Sequence, residues 1–126
     1  MELKTIHKDK RGSISLVTGL REFKEMTIFK TNKGYARGGC IHNKHNEYTT
    51  VIEGEVEYHI GNNTYILIDG DSTKIPVGTP HYFVSLTDSV VLEWGADPEE
   101  KEEKHKETRE IVNGINKISE HALFRE

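Results

Sequence analysis

The sequence predicts an all-β fold, a sandwich or small barrel, with one α-helix at its C-terminal end. Short runs of alternating apolar and polar residues recur between glycine and proline turns over about residues 12–95, with no helical pattern between them. The chain of 126 residues is long enough for one domain and too short for two. After Trp94 the composition changes to a charged segment with helix-start signals. We therefore expect a single domain over residues 1–126.

The strand-like segments fall into two zones. Residues 12–31 contain "SISLV" and "MTIF", which lie between turn signals and predict edge strands. Over residues 36–94 the period is close to two. In "EVEYHI", residues 55–60, polar and apolar side chains alternate, and the "GNN" that follows predicts a tight turn into the next strand. These alternations predict a barrel over about residues 12–95.

The C-terminal segment predicts a helix over about residues 97–118. Asp97 can cap the first turn, Pro98 suits the first helical position, and acidic residues crowd the turn that follows. The apolar residues at helical spacing are Ile111, Ile115 and Ile118. Because this stripe is narrow, we expect the helix to lie on the surface of the β domain or of a partner subunit.

Charge and hydropathy exclude several classes of partner. Lys and Arg number 17 against 21 Asp and Glu, so the net charge of -4 offers no basic surface for nucleic acid. No apolar run is long enough to cross a bilayer, and the N-terminal residues lack the apolar core of a signal peptide. The single Cys40 cannot form an intrachain disulfide. The sequence therefore predicts a cytoplasmic protein whose partners are neither nucleic acid nor membrane.

Side chains that can bind metal are concentrated in "RGGCIHNKHNEY", residues 37–48. Cys40 and His42 are two apart on a predicted strand and so face the same way. Glu47 begins the next strand and His81 follows the "PVGTP" turn, so a barrel could bring one thiol, two imidazoles and a carboxylate together. Such a set suits zinc, iron, nickel or cobalt better than magnesium or calcium. We expect these four residues to bind one divalent transition metal.

The same residues allow other interpretations. Cys40 is equally well explained as a small buried apolar residue, and His45, in the turn, could replace it as a ligand although a turn histidine more often faces solvent. Four ligands on a tetrahedral zinc would leave no open position, whereas a five- or six-coordinate ion would leave room for water, dioxygen or a substrate. In a metal-free site, His42 or His81 would act as a general base near a carboxylate.

The spacing of these residues resembles the two sequence motifs of the cupin superfamily. The first motif, with cysteine at the usual place of its first histidine, is matched by Gly34, Cys40, His42, Glu47 and Gly54. The second, with Ser85 at the usual place of its final asparagine, is matched by Gly70, Pro76, Gly78 and His81. The resemblance covers about residues 34–85. It implies the cupin double-stranded β-helix, a jelly-roll barrel, here followed by a C-terminal helix.

Within that superfamily, residues 37–48 are most similar to cupins that act on nucleotide sugars. The likeness implies that Arg37 meets a phosphate or keto oxygen and that His42 lies at the reacting carbon. Glu47 or a bound water would move a proton while the ion polarises a carbonyl. We therefore expect a metal-binding cupin, isomerase- or epimerase-like, acting on a small polar metabolite such as a nucleotide sugar. The alternatives are a metal-dependent dioxygenase and a non-enzymatic small-molecule sensor or accessory domain.

The expected assembly is a homodimer. Exposed N-terminal edge strands present unpaired backbone groups, and pairing with a second subunit is one way to protect them. Small cupins that this chain resembles are often dimers.

Overall fold

The computed structural model describes residues 2–18, 25–95 and 102–125, in which β-strands are followed by one α-helix. In chain order the elements are β1 (Glu2–Asp9), β2 (Gly12–Thr18), β3 (Glu25–Thr31), β4 (Ala36–Gly38), β5 (Cys40–Ile41), β6 (Glu47–Glu53), β7 (Glu55–Ile60), β8 (Asn63–Ile68), β9 (Ser72–Ile75), β10 (His81–Ser85), β11 (Ser89–Trp94), β12 (Glu103–Lys104) and α1 (Lys106–Arg125). The predicted all-β fold with a C-terminal helix is confirmed.

The strands form two large antiparallel sheets and one short ladder. The larger sheet has the order β1-β2-β3-β11-β6-β9, the smaller has the order β4-β10-β7-β8, and β12 pairs with β5. Within the described residues no ladder joins the two large sheets. The jelly roll is therefore an open pair of sheets, and the closed barrel that the sequence suggested is corrected. Both sheets still contribute inward side chains to one core.

Alternation of period two separates core from surface, as the sequence predicts. On β7, Val56, Tyr58 and Ile60 are buried while the residues between them are only partly covered. The core cluster consists of Val51, Val56, Tyr58, Ile60, Leu67, Ile75, Phe83 and Val91. Each fully buried apolar side chain of this size contributes about 1.5–3 kcal/mol. The same period places Glu47 and His81 among the buried residues at the beginning of their strands.

The larger sheet begins with a strand that the sequence did not predict. β1 pairs with β2 on one side and forms the edge of the sheet. Its apolar residues Leu3 and Ile6 are three apart in the sequence, which breaks the alternation expected of a strand. In the structure, a bulge between Thr5 and His7 shifts the register at this point. Both remain more than half exposed. Without a period of two, the pattern that revealed the other strands is missing here.

The C-terminal helix begins later than the predicted residue 97. Glu103–Lys104 form β12, and α1 begins at Lys106 and extends to Arg125, beyond the predicted end at residue 118. Asp97 and Pro98, the predicted cap and first helical residue, lie outside the described residues. The described helix is not long and apolar enough to span a membrane.

Helix α1 packs on β4 through a face that includes only part of the isoleucine stripe. Val112 is 4% exposed and Ile115 is partly buried, whereas Ile111 and Ile118 are 46% and 72% exposed, so only one of the three predicted isoleucines faces the sheet. Asn116 anchors the helix: the backbone N–H of Ala36 donates to its Oδ1 at 2.7 Å, and its Nδ2 donates to the carbonyl of Ala36 at 3.2 Å. Because this attachment is largely polar, apolar spacing could not identify the packed face.

Gly54 makes the tight connection between β6 and β7. Its φ is +97°, a left-handed conformation that side-chain-bearing residues rarely adopt. A Cβ at this position would lie 2.5 Å from the backbone oxygen of Asp88. Both the conformation and the available space therefore require glycine.

Candidate metal centre

Four ionisable side chains meet inside the fold because separate strands bring them there. Glu47 and His81 stand at the first positions of β6 and β10, and both are buried. His42 follows β5 directly and is also buried. Glu93 lies on β11, two residues after the buried Val91 and so on the same inward face.

Glu47 is the common partner in this group. Its Oε2 lies 2.8 Å from His42 Nε2, and its Oε1 lies 3.4 Å from His81 Nε2. One donor atom from each of Glu47, His81 and Glu93 lies within 4.8 Å of the other two. Ligand atoms bound at zinc-like distances to one ion are themselves about 3–4 Å apart. These three side chains are therefore close enough to share an ion after small adjustments.

The polar atoms of the centre also fit a metal. Glu47 Oε1 and His42 Nδ1 are buried without a hydrogen-bond partner, and such atoms are uncommon in folded proteins. His81 Nδ1 lies 3.1 Å from the carbonyl oxygen of Thr79. When Nδ1–H donates to that carbonyl, Nε2 is left as the ligand atom and the ring orientation is fixed. Imidazole and carboxylate donors together suit a divalent transition metal.

The close packing of these groups shifts their pKa values in opposite directions. The hydrogen bond to Glu47 raises the pKa of His42 to about 9. Burial alone would raise the pKa of Glu47, but the neighbouring imidazoles of His42 and His81 outweigh it and hold that pKa well below its usual range. Burial raises the pKa of Glu93, and the Glu47 carboxylate adds to the effect. The centre thus contains one carboxylate that stays ionised, Glu47, and one that resists ionisation, Glu93.

Glu93 is the member of the centre that the sequence prediction missed. In "SVVLEW" it shares the inward alternation of Ser89 and Val91, and an acidic residue at such a position was the available signal. The hydroxyl of Tyr58, a fully buried residue, donates to Glu93 Oε1 at 2.8 Å. This hydrogen bond orients the carboxylate next to Glu47.

Of the four predicted ligands, Glu47 and His81 belong to the cluster of mutually close donor atoms, His42 contacts that cluster through Glu47, and Cys40 does neither. Its Sγ is not among the mutually close donor atoms found in the described residues. Arg109 Nη2 lies 3.8 Å from this sulfur, and burial raises the pKa of the half-buried thiol. His45, the alternative ligand, is exposed in the turn and also lies outside the cluster.

Arg37, the predicted substrate-binding residue, is buried on β4 with one nitrogen unsatisfied. Its Nε donates to Thr31 Oγ1 at 2.8 Å, and its Nη2 donates to the carbonyl of Lys30 at 3.1 Å. The guanidinium also lies over the ring of Phe29, 5.6 Å from its centroid. Nη1 is buried without a hydrogen-bond partner. The side chain is therefore fixed in place and retains one donor group for a ligand.

A cavity of about 270 Å³ connects Arg37 with the centre. Its polar lining includes Arg11, Arg37, His42, His81, Glu93 and Glu102, and Cys40 and Phe83 also contribute to its wall. A substrate in this cavity would therefore contact both guanidinium groups and three of the candidate ligands, His42, His81 and Glu93, whereas Glu47 does not line it. The volume is slightly below the range of about 300–1,000 Å³ found for sites of drug-sized ligands.

Comparison with known proteins shows the same fold in proteins of several kinds. The capsular polysaccharide assembling protein CapF from Staphylococcus aureus superposes with a TM-score of 0.70 at 20% identity, over 83% of this chain and 33% of that one. KdgF from Halomonas sp. has a TM-score of 0.63 at 20% identity, over 79% of this chain and 91% of that one. At these identities the likeness shows the fold.

A sequence relative and a family match extend the comparison. Quercetin 2,3-dioxygenase of Bacillus subtilis (strain 168) is 34% identical over 59 residues, which are 47% of this chain and 18% of that protein. The chain thus matches less than a fifth of that relative's length. Residues 29–96 match the family described as "Cupin domain". Because this match covers more than half of the chain, the protein belongs to the cupin family.

Proposed function

We propose that this cupin binds a divalent transition metal and acts on a small polar metabolite. The convergence of Glu47, His81 and Glu93, with His42 in contact with Glu47, is the observation that carries the proposal. Zinc, iron, nickel and cobalt all accept this imidazole and carboxylate set. Cys40, the fourth ligand that the sequence predicts, lines the same cavity, but its sulfur contacts Arg109, so the proposed ion does not require its thiolate.

The proposed reaction is isomerase- or epimerase-like. A bound ion would supply a Lewis acid that polarises an oxygen of the substrate. Arg37, through its unsatisfied Nη1, would hold a phosphate or keto oxygen in the cavity. Glu47, whose ionised form is stabilised by two imidazoles, does not itself line the cavity, so a bound water next to it would accept the proton from the carbon beside the polarised group. A nucleotide sugar would place its sugar ring in the cavity and its nucleotide outside, because the volume is small.

Metal analysis combined with proton exchange tests this function. Protein expressed without added metal should contain about one transition-metal ion per chain by mass spectrometry. Incubated with sugar nucleotides and keto acids in deuterated water, it should introduce deuterium at the carbon next to the carbonyl, as followed by NMR. Arg37→Gln should reduce exchange while retaining metal, because Arg37 binds substrate oxygen and contributes no ligand. A protein without metal, or a loaded protein without exchange on any substrate, would contradict the proposal.

A dioxygenase is the second candidate, favoured by the likeness to quercetin 2,3-dioxygenase over 59 residues. This function needs a redox-active ion with positions open to dioxygen and substrate. Oxygen consumption by the iron- or nickel-loaded protein with a flavonol would support it. Zinc as the ion bound on purification, together with no oxygen uptake, would remove it.

We also propose that the protein works in the cytoplasm as a homodimer. A single cysteine suits a reducing compartment, because no intrachain disulfide can form. The edge strand β1, with exposed Leu3 and Ile6, offers a surface for a second subunit.

A further inference from the structure

The segment just before helix α1 runs beside β5 and reaches the cavity of the candidate metal centre. Residues 102–105, here called the strap, include β12, in which Glu103 pairs with Ile41 and Lys104 pairs with Cys40. The backbone N–H of His105 donates to the carbonyl of Gly39 at 2.7 Å. Backbone hydrogen bonds thus join the strap to β5, the strand that contains Cys40, and fix its position relative to the cavity.

The strap brings a further carboxylate to the centre. Glu102 lines the cavity, and its Oε1 lies 3.7 Å from His42 Nε2. The same His42 nitrogen is 2.8 Å from Glu47 Oε2. Separations of this size are those expected between ligand atoms around one ion, about 3–4 Å. Glu102 therefore stands at ligand distance from a residue of the centre although it belongs to a different part of the fold.

Exposure distinguishes Glu102 from the other carboxylates of the pocket. Its side chain is 57% exposed, whereas that of Glu47 is 6% exposed. Because the Glu102 carboxylate already contacts solvent, water can solvate it when it moves away from the centre. Moving it therefore costs less free energy than moving the buried Glu47 carboxylate. Arg11 and Arg37 also line the cavity, and their positive charges favour a substrate whose oxygen is anionic.

We propose that Glu102 is an exchangeable ligand of the metal centre, which a substrate oxyanion displaces. Without substrate, the Glu102 carboxylate would occupy the side of the ion next to His42. When an anionic substrate enters, the bond to the Glu102 oxygen breaks and a bond to a substrate oxygen forms, with no transfer of protons or electrons. This inference rests on the proposed metal-binding function and adds that the substrate must be an oxyanion able to compete with a carboxylate.

Cobalt(II) and azide provide a test that does not depend on activity. Cobalt affinity is measured by absorption titration of the metal-free protein, and azide affinity by titration of the cobalt-loaded protein. Glu102→Gln should weaken cobalt binding by about tenfold, as expected when a metal partner is lost. It should strengthen azide binding at least about threefold, because the internal competitor is removed. Glu103→Gln is the matched control: it removes the same charge one residue away on the strap, and both affinities should stay at wild-type values.

The outcomes separate this inference from the function on which it rests. If wild-type protein binds cobalt and Glu102→Gln matches Glu103→Gln in both titrations, Glu102 is not a ligand and the inference is overturned. If the wild type binds no cobalt, both the metal-binding function and the inference are overturned. Should Glu102→Gln fail to fold by circular dichroism, Glu102→Asp replaces it, since the shorter side chain should shift both affinities in the same directions.

Discussion

At the scale of single residues, the centre depends on how firmly each donor is oriented. His81 begins strand β10, and the contact of its Nδ1 with the carbonyl of Thr79 fixes the orientation of the imidazole ring. We expect His81→Ala to lower metal affinity by at least about tenfold. Metal retained after dialysis against a competing chelator measures this loss. His45→Ala is the control because His45 is exposed outside the cluster, and equal retention in both variants would exclude His81 as a ligand.

Cys40 leads to the opposite expectation. Its sulfur contacts Arg109 and is not among the clustered donor atoms of the described residues. We therefore predict that Cys40→Ser changes metal affinity by less than about threefold and leaves the fold nearly intact, as conservative substitutions of similar volume usually do. The cobalt absorption spectrum measures this directly, because a thiolate ligand gives an intense charge-transfer band. Loss of such a band in the variant would make Cys40 a ligand after all.

The residues of the centre illustrate what sequence could and could not predict. His42, Glu47 and His81 were predicted because their motif spacing and strand alternation agree, and in the structure both imidazoles contact the Glu47 carboxylate. Glu93 was missed because it lies on a strand outside both motifs, where only its inward position among apolar residues marked it. Cys40 and His42 were expected to act alike because they share a strand face, but the position of Arg109 depends on where the helix docks, which a local pattern does not contain.

At the scale of elements, the turns between strands are as constrained as the strands. Gly54 and Gly70 both have positive φ, but a Cβ at Gly54 would meet backbone at 2.5 Å while one at Gly70 would meet nothing within 4 Å. We expect Gly70→Ala to cost about 1–2 kcal/mol through conformation alone. Gly54→Ala should cost about 1–3 kcal/mol more because the backbone must shift. Urea unfolding of both variants measures the difference, and equal losses would show that the Asp88 contact is not tight.

The strands were predictable as elements because each packs one face on the core, which imposes a period of two on the sequence. The β12 strand was not, since its two residues form a strand only because β5 lies beside them. The start of α1 was misplaced for the same reason. Residues with helix-forming character, such as Glu103, belong to a tertiary ladder, and tertiary contacts override local propensity.

At the scale of the whole molecule, the exposed edge of the larger sheet is the surface through which we propose that the chain dimerises. β1 pairs with a neighbour on one side only, and Leu3 and Ile6 are 66% and 53% exposed. We expect wild-type protein to be a dimer by light scattering after size-exclusion chromatography. Ile6→Lys should shift it toward monomer, because a charged residue at an edge opposes strand pairing. Ile118→Lys, on the exposed face of the helix, is the control; a monomeric wild type would contradict the proposed dimer.

The metal-free protein should lose stability as pH rises from 6 to 9. His42 has a folded-state pKa raised from 6.5 to about 9, so its contribution is complete below 6.5 and disappears as pH rises through 9. Glu93 acts in the same direction, because its raised pKa makes ionisation of the buried carboxyl unfavourable. Glu47 acts oppositely: its lowered pKa stabilises the fold above about pH 4.5, and the effect is lost only in acid.

The expected decrease in the free energy of unfolding between pH 6 and 9 is a few kcal/mol, measured by urea unfolding after chelation. Glu93→Gln should flatten the curve, since glutamine cannot ionise, and added zinc should restore stability at pH 9 because metal replaces the protons. A flat curve for the chelated wild type would show that these side chains are not coupled as the geometry implies.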